Sequence, residues 1–206
     1  MLHADNYNKV LIEEEGMAQS KHIDNEEMEK TRTARFKNLE PLDTAFVDSL
    51  LPGGRKQNIK MIGRGVIEKP DFRVPIAEDH GFTVSWIRIP PGGGAHLHSH
   101  ETPEVFIPFD GPIKVFWGEN GEMNTVLEPK DCISVPVGVM RGFINETNRT
   151  IVMLAMVGGE SGGGSVTWHK RVLKDAAEKT GVGFDENGKL TTLANYDPNR
   201  KLVPIE

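Results

Sequence analysis

Short apolar runs separated by strong turn signals fill the middle of this 206-residue chain. Each run covers only a few residues and often alternates apolar with polar positions, which is the period of a β-strand. Clusters of Pro, Gly, Asn and Asp separate the runs, for example at 90–94, 110–112 and 119–121. Many short strands joined by tight turns indicate an all-β barrel or sandwich. The predicted strands are 82–89, 95–100, 104–109, 113–117, 123–127, 131–135, 141–145 and 150–157.

The first 40 residues differ from this β-rich middle, because they are strongly charged and poor in apolar side chains. Asp24 and Glu27 are spaced as a capping box, which predicts a helix that begins there and runs to about Lys37. This segment is expected to be an arm. Its few apolar residues, such as Ile23, Met28 and Phe36, could dock on the barrel or on a neighbouring subunit. Partial disorder of the arm is the alternative, and the sequence favours neither.

Beyond the predicted barrel, good helix formers occupy 171–179 and are followed by Gly181, a plausible helix stop. The glycine-rich stretch 158–164 is expected to be a flexible connection, because it lacks the lysine and serine of a phosphate-binding loop. We therefore predict three segments. They are a charged, partly helical extension (1–55), the barrel (56–170) and a C-terminal helix and tail (171–206).

The formal net charge is -6, and the 24 basic residues form no dense block. Such a chain is not expected to bind nucleic acid or an anionic membrane, so small molecules are the expected partners. Cys132 is the single cysteine and is expected to be a buried, inert thiol. The first residues do not resemble a secretory signal, and the apolar run 151–157 is too short to cross a bilayer, so a cytoplasmic protein is expected.

Three histidines lie within five residues, at His96, His98 and His100, and Glu104 follows. Alternate residues of a strand share a face, so the backbones of His98 and His100 lie roughly 6.6 Å apart and both rings can reach one ion. His96 is too far from His100 to share that ion. Two imidazoles and a carboxylate suit a divalent transition metal, namely iron, manganese, nickel or zinc. The alternative is that these side chains are only polar groups at a wet barrel mouth.

The spacing from Gly92 through His98, His100 and Glu104 to Gly111 resembles the first motif of the cupin superfamily. The resemblance implies a double-sheet jelly roll with a metal held inside the barrel, and frequent dimers or larger oligomers. It does not imply one reaction, because cupins include oxygenases, decarboxylases, isomerases, ligand-binding proteins and storage proteins.

The second cupin motif is matched only in part. Pro136, Gly138 and Asn145 stand where the family has them, whereas Lys130 and Arg141 replace the family's glycine and histidine. That histidine is a further metal ligand in family members with a full site, and an arginine cannot replace it because it stays protonated. Three arrangements stay open. Arg141 lies beside a three-ligand site and binds a substrate anion, or pairs with Glu104 in place of a metal, or faces solvent.

These observations predict a protein that binds one divalent transition metal through His98, His100 and Glu104. The same protein is predicted to be a metal-dependent oxygenase that acts on a small anionic molecule. Arg141 is the predicted catalytic residue, and His96, Phe106 and Arg141 are predicted to line the substrate pocket. The alternatives are a non-catalytic ligand-binding or structural cupin, or a decarboxylase or isomerase. A homodimer or larger homo-oligomer is expected.

Trp168 and His169 follow the glycine-rich stretch near the C-terminal end of the predicted barrel. Together they could cover the barrel mouth, although a surface position is the favoured interpretation.

Overall fold

The computed structural model describes residues 21–69, 72–78, 80–159, 164–202 and 204–205. The strands are β1 (Gln57–Ile62), β2 (Phe82–Ile89), β3 (Gly94–His100), β4 (Glu104–Pro108), β5 (Ile113–Trp117), β6 (Met123–Leu127), β7 (Ile133–Val135), β8 (Arg141–Ile144), β9 (Ile151–Gly158), β10 (Val166–Trp168), β11 (Val182–Phe184) and β12 (Leu190–Thr192). The helices are α1 (Asn25–Arg32) and α2 (Lys170–Thr180), and a 3-10 turn covers Phe36–Asn38.

Ten of these strands form two antiparallel five-stranded sheets. The first sheet has the order β1-β2-β9-β4-β7, and the second has the order β10-β3-β8-β5-β6. Chain neighbours such as β3 and β4 therefore lie in different sheets, and the chain crosses repeatedly between the two layers. This arrangement confirms the predicted all-β jelly-roll fold. A separate hairpin of β11 and β12 follows α2.

Strand alternation explains which side chains fill the space between the sheets. In β2 and in β9, every second side chain is buried and its neighbours are partly exposed. The buried apolar side chains of both sheets meet in one core, which includes Ile89, Phe106, Val115, Phe143 and Met153. Because the period of a strand is two residues, this burial fixes the register of each strand.

A second, smaller apolar cluster joins the segment before the barrel to the C-terminal helix. Val47 and Leu51 pack with Trp168, Val172 and Ala176. The buried positions of α2 are spaced by four residues and so form one helix face. Gly181 ends the helix in the left-handed conformation, with φ 67°, as the sequence predicts.

Several local predictions are corrected or completed by the structure. Helix α1 ends at Arg32, earlier than the predicted end near Lys37, because Thr33 is already extended. Phe36 then docks edge-on against Trp86, with ring centroids 6.4 Å apart. Cys132 is exposed, so the prediction of a buried thiol is wrong.

Some predictions concern residues that the structure does not describe. The predicted arm before residue 21 and residues 160–163 of the predicted glycine-rich connection lie outside the described residues. The predicted boundaries between the three segments stay predictions. Within the described part of the chain, no helix has the length and apolar character needed to cross a membrane.

Candidate metal site and its cavity

His98, His100 and Glu104 lie together in the barrel interior, and each is less than a tenth exposed. Their ligand atoms all lie within 4.8 Å of one another. The Nε2 atom of His100 is 3.4 Å from Glu104 Oε2, and the Nε2 atom of His98 is 3.9 Å from the same oxygen. These three residues can offer one ion two imidazole nitrogens and a carboxylate, the set expected from their spacing.

A β-bulge in β3 determines which residues of the histidine cluster face the interior. In the pairing of β3 with β8, Ala95 is opposite Phe143 and His98 is opposite Arg141, so three residue steps on β3 match two on β8. The extra residue reverses the alternation, because a bulge re-aims the side chains that follow it. Ala95 and His98 therefore both line the cavity, whereas His96 is not among the lining residues.

The hydrogen bond of His98 fixes which of its ring nitrogens is available to a ligand. Nδ1 of His98 lies 2.6 Å from the backbone carbonyl oxygen of His96. A carbonyl oxygen only accepts, so Nδ1 carries the proton and Nε2 keeps its lone pair towards Glu104. Burial lowers the pKa of His98 to about 3 in spite of the opposing charge of Glu104. The ring is therefore neutral at ordinary pH, in the form that ligates metals.

His100 provides the strongest structural indication that these residues fit a metal ion. Both of its ring nitrogens are buried and have no hydrogen-bond partner among the described residues. Its 3.4 Å approach to Glu104 lacks the alignment of a hydrogen bond. Buried polar atoms without partners are uncommon and cost about 1–3 kcal/mol each. A metal ion at this position would satisfy one of the nitrogens, so the residues present fit such a group.

Arg141 lies against Glu104 and is fully buried. Its Nε donates to Glu104 Oε2 at 3.0 Å, its Nη2 lies 2.9 Å from the same oxygen, and its Nη1 donates to the Val139 carbonyl at 3.2 Å. Burial alone would raise the pKa of Glu104, but His100, Arg141 and His98 together hold that pKa at about 2. Glu104 is therefore ionised and faces both Arg141 and the two histidines.

This position bears on the three arrangements that the sequence left open. Arg141 does not face solvent, because it is fully buried. It also is not among the residues that line the cavity. Its predicted roles as catalytic residue and as part of the substrate pocket stay predictions. A carboxylate has two oxygens and several lone pairs, so Glu104 can accept from Arg141 and still ligate an ion.

The ligand cluster forms part of the wall of a cavity of about 50 Å³ between the sheets. Most of the remaining wall is apolar and includes Ile87, Phe143, Val157 and Trp168. One water molecule needs roughly 10–15 Å³ measured in this way. The cavity therefore has room for only a few water molecules or for one small organic molecule.

Trp168 is buried and belongs to this wall, so the favoured prediction of a surface position is wrong. The reason is the short strand β10, which pairs with β3 and places Trp168 opposite His98. The two rings are 5.1 Å apart. The indole nitrogen donates to Glu68 Oε1 at 2.7 Å, and this bond fixes the indole beside His98.

Two further predicted pocket residues lie elsewhere. Phe106 is fully buried in the apolar core, 5.3 Å from the ring of Phe143, and is not among the cavity-lining residues. His96 lies against Asp48, which accepts from its backbone nitrogen at 3.1 Å and also pairs with Lys56 at 2.8 Å. Their contributions to a substrate pocket stay predictions.

Sequence reasoning did not find the polar wall of the cavity on the first sheet. Asn58, Lys60 and Ser85 line the cavity and are each more than nine-tenths buried. Asn58 and Lys60 are alternate residues of β1, and Lys60 is opposite Ser85 on β2. Polar residues at alternate positions normally indicate a solvent-facing side of a strand, so the pattern gave no signal for a site.

The two-sheet barrel has two histidines and a glutamate facing an internal cavity, an arrangement that β-barrels can use to hold a small ligand or an ion. Residues 85–157 match the family model described as "Cupin domain". This part of the chain therefore belongs to the cupin superfamily, as its first motif indicates. No curated protein shows significant sequence similarity to the chain.

Several solved structures resemble the fold at low sequence identity. The polyketide cyclase RemF from Streptomyces resistomycificus is 17% identical, with a TM-score of 0.49, over 66% of this chain and 82% of that protein. A cupin-2 domain protein from Rhodospirillum rubrum is 14% identical, also with a TM-score of 0.49, over 71% of this chain and 90% of that protein. At such identities and TM-scores these likenesses carry no conclusion about the activity of this chain.

Proposed function

We propose that this chain is a cupin that binds one divalent transition metal through His98, His100 and Glu104, and that it uses the ion as an oxygenase acting on a small anionic organic molecule. The observation that carries the proposal is the convergence of three buried ligand groups within 4.8 Å at the wall of an internal cavity. A bound ion with only three protein ligands would supply open positions at which a substrate and dioxygen can meet.

The protein's own residues prepare the site for such an ion. The His96 carbonyl holds His98 in the tautomer whose Nε2 is free. Arg141 holds the Glu104 carboxylate in place and, together with the nearby His100, keeps it ionised. Trp168, held by Glu68, packs against the His98 ring and closes the cavity on that side. These contacts pre-orient the ligands, which lowers the entropic cost of binding an ion.

The charge of the cavity supports an anionic substrate. A divalent ion beside Glu104 would leave the site with a net positive charge, because Arg141 already neutralises the carboxylate. The apolar walls exclude water and favour a ligand with an apolar body. In a dioxygenase reaction both atoms of dioxygen enter the organic product, so no separate reductant is required.

One observation favours a second candidate, a non-catalytic ligand-binding cupin without a metal. Arg141 supplies Glu104 with a buried positive partner at 2.9 Å, so the carboxylate has a partner even when no ion is present. The unpartnered nitrogens of His100 support the metal-binding proposal instead. A decarboxylase or isomerase would use the same cavity.

Oxygen uptake separates these candidates. Iron-loaded protein is screened in an oxygen electrode against small hydroxy acids, keto acids, diketones and catechols, with the His98→Ala/His100→Ala double variant as control. We expect substrate-dependent uptake by the wild type and none by the variant. Tight ligand binding without uptake or turnover would instead support the binding protein, and product formation without uptake would support the decarboxylase or isomerase.

A further inference from the structure

Lys60 is a buried lysine without a close acidic partner. The residue is 6% exposed, and within the described part of the chain its amino group makes no hydrogen bond and no ion pair, so that only the more distant Glu104 carboxylate acts on its charge. A buried charge normally has a partner, because removing it from water is costly. The unpaired amino group of Lys60 therefore needs an explanation that the packing of the barrel does not supply.

The other buried lysine of the cavity shows what a satisfied lysine looks like in this protein. Lys56 also lines the cavity, but its amino group donates to both oxygens of Asp48, at 2.8 and 3.0 Å, and to the Gly54 carbonyl at 3.2 Å. Lys60 has no such set of acceptors. The contrast indicates that the positive charge of Lys60 is available to a ligand.

Two polar neighbours of Lys60 face the same cavity. Asn58 lies two residues away on the same face of β1, and its side-chain nitrogen is buried without a hydrogen-bond partner in the described chain. Ser85 is directly opposite Lys60 on β2. An ammonium, an amide N–H and a hydroxyl are three donors on one wall, and a carboxylate is an acceptor-only group that can satisfy them together.

This polar wall faces the ligand cluster across the cavity and does not contact it. Lys60 and Glu104 lie on β1 and β4 of the same sheet, with β2 and β9 between them. Three strand spacings separate their backbones by roughly 14 Å. Glu104 makes no ion pair with Lys60 and has Arg141 as its close partner, although the charge of the carboxylate still acts on the Lys60 amino group across the cavity.

We propose that Lys60, Asn58 and Ser85 form a carboxylate-binding subsite, and that the ligand of the cavity is a short-chain monocarboxylate. The inference rests on the proposed small-anion function of this cavity. It assigns the anion to Lys60, a different residue from the Arg141 that the sequence suggested. The carboxylate lies on the polar wall, and the rest of the ligand extends between the apolar walls towards His98 and His100.

The size of the cavity limits the ligand. A volume of about 50 Å³ corresponds to roughly three to five water molecules at 10–15 Å³ each. The cavity therefore favours a short-chain acid, and propionate or a hydroxy or keto acid of similar length is the class of ligand to test first.

Calorimetric titration with propionate tests the subsite, with propionamide as the neutral probe of the same shape. Metal-free wild type should bind propionate, and its affinity for propionamide should be at least about tenfold lower, because the loss of a charged hydrogen bond costs about that much free energy. Lys60→Met should lower the affinity for propionate at least about tenfold, and Lys60→Arg should restore part of that affinity. The matched control Lys114→Met removes a lysine that pairs with Glu146 at the surface and should leave propionate binding unchanged.

A parallel zinc titration distinguishes failure of this inference from failure of the proposed function. Lys60→Met should bind zinc as the wild type does, because Lys60 is not a ligand. If propionate binds wild type and Lys60→Met equally, the subsite is wrong even when zinc binds normally. If zinc does not bind but the binding of propionate still depends on Lys60, the metal proposal fails and the carboxylate subsite stands. Should Lys60→Met not fold, Asn58→Leu replaces it, and unchanged propionate affinity in that variant overturns the inference.

Discussion

The ion pair between Arg141 and Glu104 should dominate the stability of the metal-free protein. Arg141→Met removes a fully buried guanidinium and leaves the Glu104 carboxylate without the donor at 3.0 Å. Removing one partner of a buried pair typically costs about 3–5 kcal/mol, because the other charge stays buried and uncompensated. In a protein of this size that cost corresponds to a decrease of roughly 6–20 °C in Tm.

Thermal unfolding followed by circular dichroism measures this effect, in buffer that contains a chelator. The double variant Glu104→Gln/Arg141→Met removes both charges and should unfold at a higher temperature than Arg141→Met alone. Added zinc should stabilise Arg141→Met more than the wild type, because the ion supplies the positive partner that the carboxylate has lost.

The control uses an arginine–glutamate pair of similar geometry at the surface. Arg35 donates to Glu29 at 2.8 and 2.6 Å, but both side chains are more than half exposed. Arg35→Met should therefore change Tm little, since solvent screens such pairs. A metal-free Arg141→Met that unfolds at the wild-type temperature would refute the buried ion pair. If Arg141→Met keeps its stability and loses only anion affinity, Arg141 is a substrate anchor instead.

Two further predictions concern pH and backbone conformation. Burial lowers the pKa of His98 to about 3, so between about pH 6.5 and 3 the unfolded chain binds a proton that the folded chain does not; Tm should fall as the pH falls through this window. Because the pKa of Glu104 is held at about 2, Tm should fall further below about pH 4.5. Glu68 has the opposite effect between about pH 7 and 4.5, because burial raises its pKa to about 7 and the folded chain then binds a proton that the unfolded chain does not. His98→Gln should give a shallower dependence in unfolding scans, and an identical slope would contradict the assignment. At the end of α2, a Cβ on Gly181 would lie 2.4 Å from a backbone nitrogen, whereas one on Gly188, also at positive φ, would meet nothing within 4 Å. Denaturant titration should therefore show a loss of about 1 kcal/mol for Gly188→Ala and a larger loss for Gly181→Ala, and equal losses would show that no close contact exists at Gly181.

The sequence was sufficient to predict the fold because short β-rich runs are separated by strong turn signals, and the strands 82–89 and 113–117 were predicted with the bounds that the structure has. The alternation within a run was less informative, because 82–89 buries Thr83 and Ser85 and leaves Trp86 partly exposed. The spacing of His98, His100 and Glu104 was equally informative, since it placed three ligand groups on facing strand positions. Patterns of this kind can be recognised in the sequence because they depend on residues that are close together in the chain.

The parts of the site that the sequence did not reveal depend on contacts between distant segments. Strand β1 presents Asn58 and Lys60 to the interior, although polar residues at alternate positions are typical of an exposed face. The bulge before His98 has no signature in the sequence, yet it turns His96 away from the cavity. Trp168 lies in a strand of three residues, which is too short to show an alternating pattern.

The central claim is that His98, His100 and Glu104 hold a metal ion, and metal stoichiometry tests it most directly. Protein is stripped with a chelator, dialysed to equilibrium against iron, manganese, nickel or zinc, and analysed for bound metal by elemental analysis. We predict about one ion per chain for at least one of these metals, and none for His98→Ala/His100→Ala in the same metal. Wild type that retains none of the four metals, or a double variant that retains as much as the wild type, would contradict the account.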